Sequence, residues 1–323
     1  LATPNSNFDD VITTTLRRRS AKLADNIMNN TALLLRLKER GNARPASGGR
    51  TIVEEIAFSG PGNFQWYSGY ETLGISQGDM LTAAEFNWKQ ASVACSMSGL
   101  EQLQNAGPDQ VIDLMAGRIE AAEAEMANNV STGIYSDGTG SGGKQIGGLQ
   151  LLIGDAGTGT VGGIVSGTYT WWKNQFYDFS ANSVTAGPAT IQSAMNTLYL
   201  NCLRNRDQPD LVVADNTYFR YYWESLQAIQ RVTNSKLAEA GFENLKFMGA
   251  DVVPDGGLSG AAASTHMYFI NSKYLFFRPH RDRNFVPLNP DRYAVNQDAM
   301  VKFLAFAGNM TTSSRRLQGA IVA

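Results

Sequence analysis

The longest regular pattern of apolar positions runs from Val111 to Val130. Val111, Met115, Ile119, Ala122, Met126 and Val130 recur at steps of four, four, three, four and four, the spacing of one narrow helix face. Pro108 opens the segment, where a missing N–H costs nothing. Asp109 and Asp113 sit at the positive end of the helix dipole, and Glu120, Glu123 and Glu125 occupy the other face. Running to about Thr132, the helix spans roughly 37 Å at 1.5 Å per residue. So long a helix with so narrow a stripe lies across a sheet or a subunit surface.

Upstream, the pattern changes. Thr51 to Phe58 reads as a strand, Gly60-Pro61-Gly62 as a turn, and Phe64, Trp66, Tyr67 and Tyr70 follow before Gly74 and Gly78. Residues 48–82 are thus a long aromatic hairpin. A two-stranded hairpin is marginal alone in water, so it lies on this subunit or on a neighbour. The alternation Phe86, Trp88, Ser92, Ala94, Ser96 predicts a strand leading into a short helix, Leu100 to Gln104. Residues 1–47 read as an arm, with short apolar stretches at Leu16, Leu23 and Leu33 to Leu37.

Downstream of the long helix come two glycine-rich loops, Gly138 to Gly148 and Gly157 to Gly163, with Leu149 to Ile153 between them. A helix over 189–204 places Ile191, Met195, Leu198 and Cys202 on one face, and Pro209 breaks it. Leu211 to Ala214 is a buried strand. Asp215 or Asn216 caps a helix from Thr217 to Arg231. Phe247, Val252-Val253, Met267 to Ile270 and Tyr274 to Phe277 are further strands. Helices and strands are mixed rather than strictly alternating, which predicts an α+β fold and not a doubly wound sheet.

Composition sharpens this picture in one respect. Charged residues are 17% of the 323, below the usual quarter, so either the core is large or much of the surface is buried against partners. Net charge is −2, but it is unevenly spread: +5 over residues 1–50, −9 over 51–150, −3 over 151–269 and +5 over 270–323. Two basic ends around an acidic stretch suit self-association, or a polyanion touching the ends alone. In the arm, Arg17, Arg18, Arg19 and Lys22 lie close together; they form a solvated helix face, or they contact a polyanion or an acidic neighbour. No apolar run approaches the roughly 20 residues of a membrane span, and Leu1 to Asp10 has no signal-peptide core. The expectation is a soluble protein, intracellular when made, and numbering from Leu leaves room for a removed leader.

Candidate chemistry is sparse. Gly138 to Lys144 fits GxxxxGK, but Gln145 stands where a P-loop needs Ser or Thr, and a helix rather than a strand precedes it. His280 lies in the polar cluster Arg278-Pro279-His280-Arg281-Asp282-Arg283, read as a loop whose arginines bind a carboxylate, or alternatively as an anion site or general base. There is no GxSxG and no HExxH, and His266 and His280 are poor zinc ligands. Cys95 and Cys202, the only cysteines, sit among apolar residues as small buried hydrophobes. The chain reads as a non-enzyme with no cofactor and no metal.

The order of pieces is more specific than any one of them. Tyr135-Ser136-Asp137-Gly138-Thr139-Gly140 followed by Gly147-Gly148-Leu149 resembles the turn that ends the spine helix in major capsid proteins of tailed bacteriophages, with Ser136 where Gly is common. Gly157 to Gly163, Pro209 to Asn216 and Phe277 to Asn284 extend the likeness, which is nearest to short-tailed phage capsids and covers nearly the whole chain. The resemblance implies a Hong Kong 97-type capsid fold. Residues 1–47 would be the N-terminal arm and 48–82 the extended loop. Residues 83–187 would be the peripheral domain, with the spine helix at about 108–132. The axial domain would span 188–270, and 271–323 would return to the peripheral domain.

The same resemblance makes residues 149 onward a Gly-Leu strand. It implies self-assembly into pentamers and hexamers of an icosahedral head around double-stranded DNA, built in the bacterial host cytoplasm. Portal and scaffold proteins, a cement protein and non-specific DNA contact on the inner face come with it, and no membrane. Candidate assembly residues are Arg17, Arg18, Arg19, Lys22, Trp66, Tyr67, Tyr70, Arg278, Arg281 and Arg283. Some members weld their shells from a Lys on the extended loop, and residues 48–82 contain no Lys. The alternatives are a cellular nanocompartment shell of the same fold and a phage tail or adhesin-like binding protein, which the long helix opposes.

Overall fold

Thr31 caps the first helix, α1 (Ala32–Glu39): its hydroxyl accepts a hydrogen bond from the Leu34 N–H at 3.3 Å. The computed structural model describes residues 31–75, 78–100, 108–226, 245–255, 265–288, 292–293 and 299–323. Leu33, Leu34 and Leu37 of α1 are fully buried. Strands β1 (Ile52–Ala57) and β2 (Leu81–Phe86) form an antiparallel ribbon, with Ile52 opposite Phe86 and Ala57 opposite Leu81. Residues directly opposite share a face. Ile52, Glu54, Ile56, Ala84 and Phe86 turn inward and are buried, while Val53 and Leu81 face out, 50% and 75% exposed.

Strand β3 (Lys89–Ser98) leaves the ribbon at a corner, Asn87-Trp88. This corrects the single strand expected from the alternation of Phe86, Trp88, Ser92, Ala94 and Ser96. The corner is pinned by distant partners: the Asn309 amide donates to the Asn87 carbonyl at 2.8 Å, and the Trp88 indole N–H to the Gly49 carbonyl at 2.9 Å. Of the helix expected at Leu100 to Gln104, residues 101–104 lie outside the described residues.

The long helix α2 spans Pro108–Gly133 and packs on β3. Ile119, Ala122, Met126 and Val130 are buried, as their spacing predicts; the side chains of Val111 and Met115 lie outside the described ones. Past the glycine turn, the expected Gly-Leu strand is instead one helical turn, α3 (Leu149–Leu152). The physical reason is burial: a turn puts both Leu149 and Leu152 into the core, at 0% and 1% exposure, which strand alternation would not. Gly148 makes the approach possible, since a Cβ there would lie 2.2 Å from the Ile134 carbonyl oxygen. A small hairpin, β4 (Thr160–Val161) and β5 (Ile164–Val165), follows on the second glycine loop.

The next elements are β6 (Gln175–Asp178), α4 (Ile191–Asn201), β7 (Leu211–Ala214), α5 (Asn216–Ser225), β8 (Leu245–Phe247), β9 (Ala250–Pro254) and β10 (Met267–Ile270). Asp215 caps α5, accepting from the Tyr218 N–H at 2.8 Å. The helix ends at Ser225, short of the expected Arg231. The Ser225 hydroxyl donates to the Tyr222 carbonyl at 2.6 Å, competing with helical bonding, and Leu226 is extended. Residues 227–231 lie outside the described residues.

The chain closes with β11 (Leu275–Pro279), β12 (Val286–Pro287), β13 (Arg292–Tyr293), β14 (Ala299–Thr312) and β15 (Gly319–Val322). Fourteen-residue β14 is the axis of a five-stranded sheet, with β3 along one edge and β11, β12 and β13 in turn along the other. The second sheet has six strands in the order β6-β15-β10-β7-β9-β8.

That sheet is buried on both faces, so its strands read as continuous apolar runs. Val212, Ala214, Met267, Phe269 and Ile321 face α4 and α5. Leu211, Val213, Tyr268, Ile270 and Ala320 face the other core, shared with α1, the ribbon and α2. Gly319 lets α4 close on the sheet: a Cβ there would meet Cys202 Sγ at 2.8 Å and Leu198 at 2.9 Å.

Candidate assembly surfaces

The ribbon β1–β2 carries a loop that is fixed at its base and bare at its tip. At the base, Glu54 is buried and accepts both nitrogens of one guanidinium: Arg278 Nε at 2.7 Å and an Arg278 terminal nitrogen at 2.9 Å. The Thr311 hydroxyl adds a third bond at 2.7 Å. This is the two-pronged geometry that suits Arg to carboxylates. Beside it, Phe58 stacks on Trp171 with centroids 5.0 Å apart and planes 17° apart.

Beyond Phe58 the loop holds itself with short-range bonds. The Ser59 hydroxyl donates to the Asp79 carbonyl at 2.8 Å, the Gln65 amide to the Thr72 carbonyl at 3.2 Å, and the Ser68 N–H to the Glu71 carboxylate at 3.2 Å. Trp66, Tyr67 and Tyr70 all lie exposed on this part of the loop. Trp66 is 90% exposed and Tyr70 fully so. Phe64 meets Trp66 edge-on at 5.4 Å, and Leu73 and Ile75 are further exposed apolar residues of the same loop. Those last two were missed by a reading that followed aromatics alone; their i, i+2 spacing was the available signal.

Arg278 is taken up inside the chain by Glu54, whereas Arg281 and Arg283 are exposed on the turn after β11. His280 packs edge-on against Trp88 at 5.2 Å, and its Nδ1 accepts from the Asp282 N–H at 3.1 Å. Arg17, Arg18, Arg19 and Lys22 lie outside the described residues.

The turn that ends α2 is held by its own polar groups. The Asp137 carboxylate accepts from the Thr139 N–H at 2.9 Å and from its hydroxyl at 2.8 Å, and these bonds hold its carboxyl below the ordinary range. The Ser136 hydroxyl donates to the Ile146 carbonyl at 2.7 Å. Fully buried Tyr135 donates to the Asp255 carboxylate at 2.5 Å; burial, then the Asp255 charge, push its phenol well above the usual value. Lys144 is exposed after Gly140–Gly143, and α2 rather than a strand precedes that turn.

Two basic groups, one fully buried and one half-buried, tie elements together. Arg315 is fully buried. It donates to the Leu152 carbonyl at 2.7 Å and the Asn174 side-chain carbonyl at 2.8 Å, and it also bonds Ser166. Burial lowers its pKa to about 10. Arg36 of α1 pairs with buried Asp251 on β9.

Chemistry for a reaction centre is thin among the described residues. Burial pushes the Cys202 thiol up to about 12 and raises Cys95, which opposes thiolate formation. His266 Nε2 lies 3.0 Å from Asp155. No three His, Cys, Asp or Glu of the described residues are placed to hold a metal ion, and no described helix is long and apolar enough to cross a membrane. Two clefts flank the ribbon's base. One, of about 470 Å³, is lined by Phe58, Trp171, Trp172, Arg204, Tyr274 and Arg316, among others. The other includes Asp79, Leu81, Glu85 and Tyr169.

No family model matches the chain, and no curated protein matches it. Solved structures do. The capsid asymmetric unit of cyanophage A-1(L) superposes with a TM-score of 0.66 at 13% identity, over 88% of this chain and 92% of that one. The capsid of a native GTA particle gives 0.57 at 10% identity, over 88% and 89%. The capsid of Myoviridae phage XM1 gives 0.51 at 11%, over 91% and 92%. At such identities the likeness is one of fold. The α+β fold of this chain is the tailed-phage capsid fold, from one end of the matched chains almost to the other.

Proposed function

We propose that this chain is a major capsid protein, a structural subunit that assembles into pentamers and hexamers of an icosahedral head enclosing double-stranded DNA. The observation that carries the reading is the whole-length match to phage capsid structures, with 88% of this chain and 92% of the cyanophage subunit superposed. The bare aromatic tip supports it independently. A loop that exposes Trp66, Tyr70 and Ile75 at 90% or more needs a surface to cover it, and a closed shell offers one to every copy.

By this reading residues 1–47 form the arm, 48–82 the extended loop, 83–187 with 271–323 the peripheral domain, and 188–270 the axial domain. The chain works without chemistry of its own. It assembles in the host cytoplasm with portal and scaffold proteins, and it meets DNA through phosphate contacts on the inner face. Arg17, Arg18, Arg19 and Lys22 serve those contacts or a neighbour's acidic surface, and Arg281 and Arg283, exposed on the turn after β11, serve contacts with a neighbouring copy. The Lys-free loop leaves the shell to non-covalent contacts or a cement protein.

Sedimentation of the chain expressed with its scaffold tests the reading. Megadalton particles or ring precursors are expected. A monomer that persists with scaffold and portal supplied would sink it.

A further inference from the structure

A histidine and a carboxylate from distant parts of the chain meet at one end of the six-stranded sheet. His266 stands just before β10, and Asp155 shortly after α3, 111 positions earlier. His266 Nε2 lies 3.0 Å from an Asp155 carboxylate oxygen; the imidazole is 12% exposed and the carboxylate 47%. An imidazole gains or loses its proton between about pH 5 and pH 8. Charged, it makes an ion pair here. Neutral, it makes an ordinary hydrogen bond, about half as strong.

The other titratable groups around the pair come from four elements. On β10 the Tyr268 ring lies 5.8 Å from the imidazole, and its buried phenol has no hydrogen-bond partner among the described residues. Burial, then the Asp155 charge, raise that phenol. Asp215, at the end of β7, accepts the Thr265 N–H at 2.8 Å and donates its own N–H to the His266 carbonyl at 3.0 Å. Tyr135, at the end of α2, bonds Asp255 beyond β9. On the loop side, a Cβ at Gly157 would meet the Lys173 side chain at 2.9 Å, and one at Gly154 would lie 3.8 Å from a terminal nitrogen of Arg315. That guanidinium is already spent on Leu152, Ser166 and Asn174.

We propose that His266 and Asp155 form a proton-operated tie between the six-stranded sheet and the second glycine loop, tight when the imidazole is charged and slack as pH rises through the histidine range. The tie reaches beyond the loop. Past Asp155 the chain forms the hairpin β4–β5, and the Gly162 carbonyl there accepts the Glu85 N–H of β2 at 3.0 Å. Gly162 is so close to the ribbon that a Cβ would sit 2.7 Å from the Ala84 side chain. Slackening the loop therefore slackens one support of β2. The device belongs to the single chain and stands apart from the capsid reading.

Hydrogen exchange of the full chain at about pH 5.5 and about pH 8, corrected for the intrinsic pH dependence of exchange, reads the tie as local opening. Residues 154–165 are expected to be protected about fivefold more at the lower pH. His266→Gln keeps a neutral hydrogen bond and Asp155→Asn removes the anion, so each is expected to abolish that difference. His280→Gln changes the chain's only other histidine and is expected to keep it. Equal protection of 154–165 at both pH values in the wild-type chain would overturn the inference. So would a difference that survives in either His266→Gln or Asp155→Asn, or one that disappears in His280→Gln.

Discussion

Glu54 shows how a residue in the outlying ribbon is made part of the core. Its carboxylate is buried under a bidentate guanidinium and a hydroxyl. Removing one partner of such a pair strands the other, at a cost of about 3–5 kcal/mol when burial is complete. Arg278 is 20% exposed in its side chain, so Glu54→Ala is expected near the lower end of that range, read as a fall in the denaturant midpoint. An unchanged midpoint would show that the pair does not anchor the ribbon.

The buried tyrosines make a second residue-scale prediction. Burial raises the phenols of Tyr135, Tyr218 and Tyr268, and lifts Tyr222 to about 12. A folded-state pKa above the unfolded value near 10 stabilises the fold fully below pH 10, and that contribution is lost as pH rises through the folded values. Phenolate absorbance from this buried set should therefore appear only on unfolding, well above pH 10. A single wave centred near pH 10 with the fold intact would contradict the burial.

At the scale of elements, α5 depends on its cap. Asp215 accepts the Tyr218 N–H at 2.8 Å and also the Thr265 N–H at 2.8 Å. Loss of a cap typically costs about 1 kcal/mol, and two bonds are lost here, so Asp215→Ala is expected to cost about 2 kcal/mol, checked by chemical denaturation. Gly319→Ala should destabilise by about 1–3 kcal/mol through overpacking against Leu198 and Cys202. A neutral result at Gly319 would mean that α4 yields more readily than its contacts imply.

Elements also divide what the sequence reveals from what it hides. The stripe of α2, the cap at Asp215 and the aromatic loop are local signals, and each was legible. The break between β2 and β3 was not, because Asn87-Trp88 carries no Gly or Pro and is held by Gly49 and Asn309. The helical turn at Leu149 follows from core burial that resemblance to a strand concealed. The role of Arg278 was half legible. Its need for a carboxylate was plain, but Glu54 lies 224 positions away.

At the scale of the whole molecule, the uneven charge becomes testable. The arm and first turn carry net +5 and the next hundred residues −9. Individual exposed pairs are worth under about 1 kcal/mol, and repetition over many copies makes them count. Changing Arg17, Arg18 and Arg19 together to Gln is expected to leave the subunit folded and to lower shell yield, more so at higher salt. Normal shells with normal DNA content would exclude both a neighbour and DNA as the arm's partner. Particles boiled in detergent are expected to release single chains near 35.1 kDa, because the loop has no Lys to start a weld; ladders would contradict this.

The central claim is that a subunit with a bare, anchored loop completes itself only among copies. Electron microscopy of the chain produced with its scaffold tests that most directly. The account predicts closed icosahedral shells, with the loop of each subunit lying over the next subunit in its ring. Particles of irregular outline, or ordered shells in which every Trp66 still faces open solvent, would contradict it.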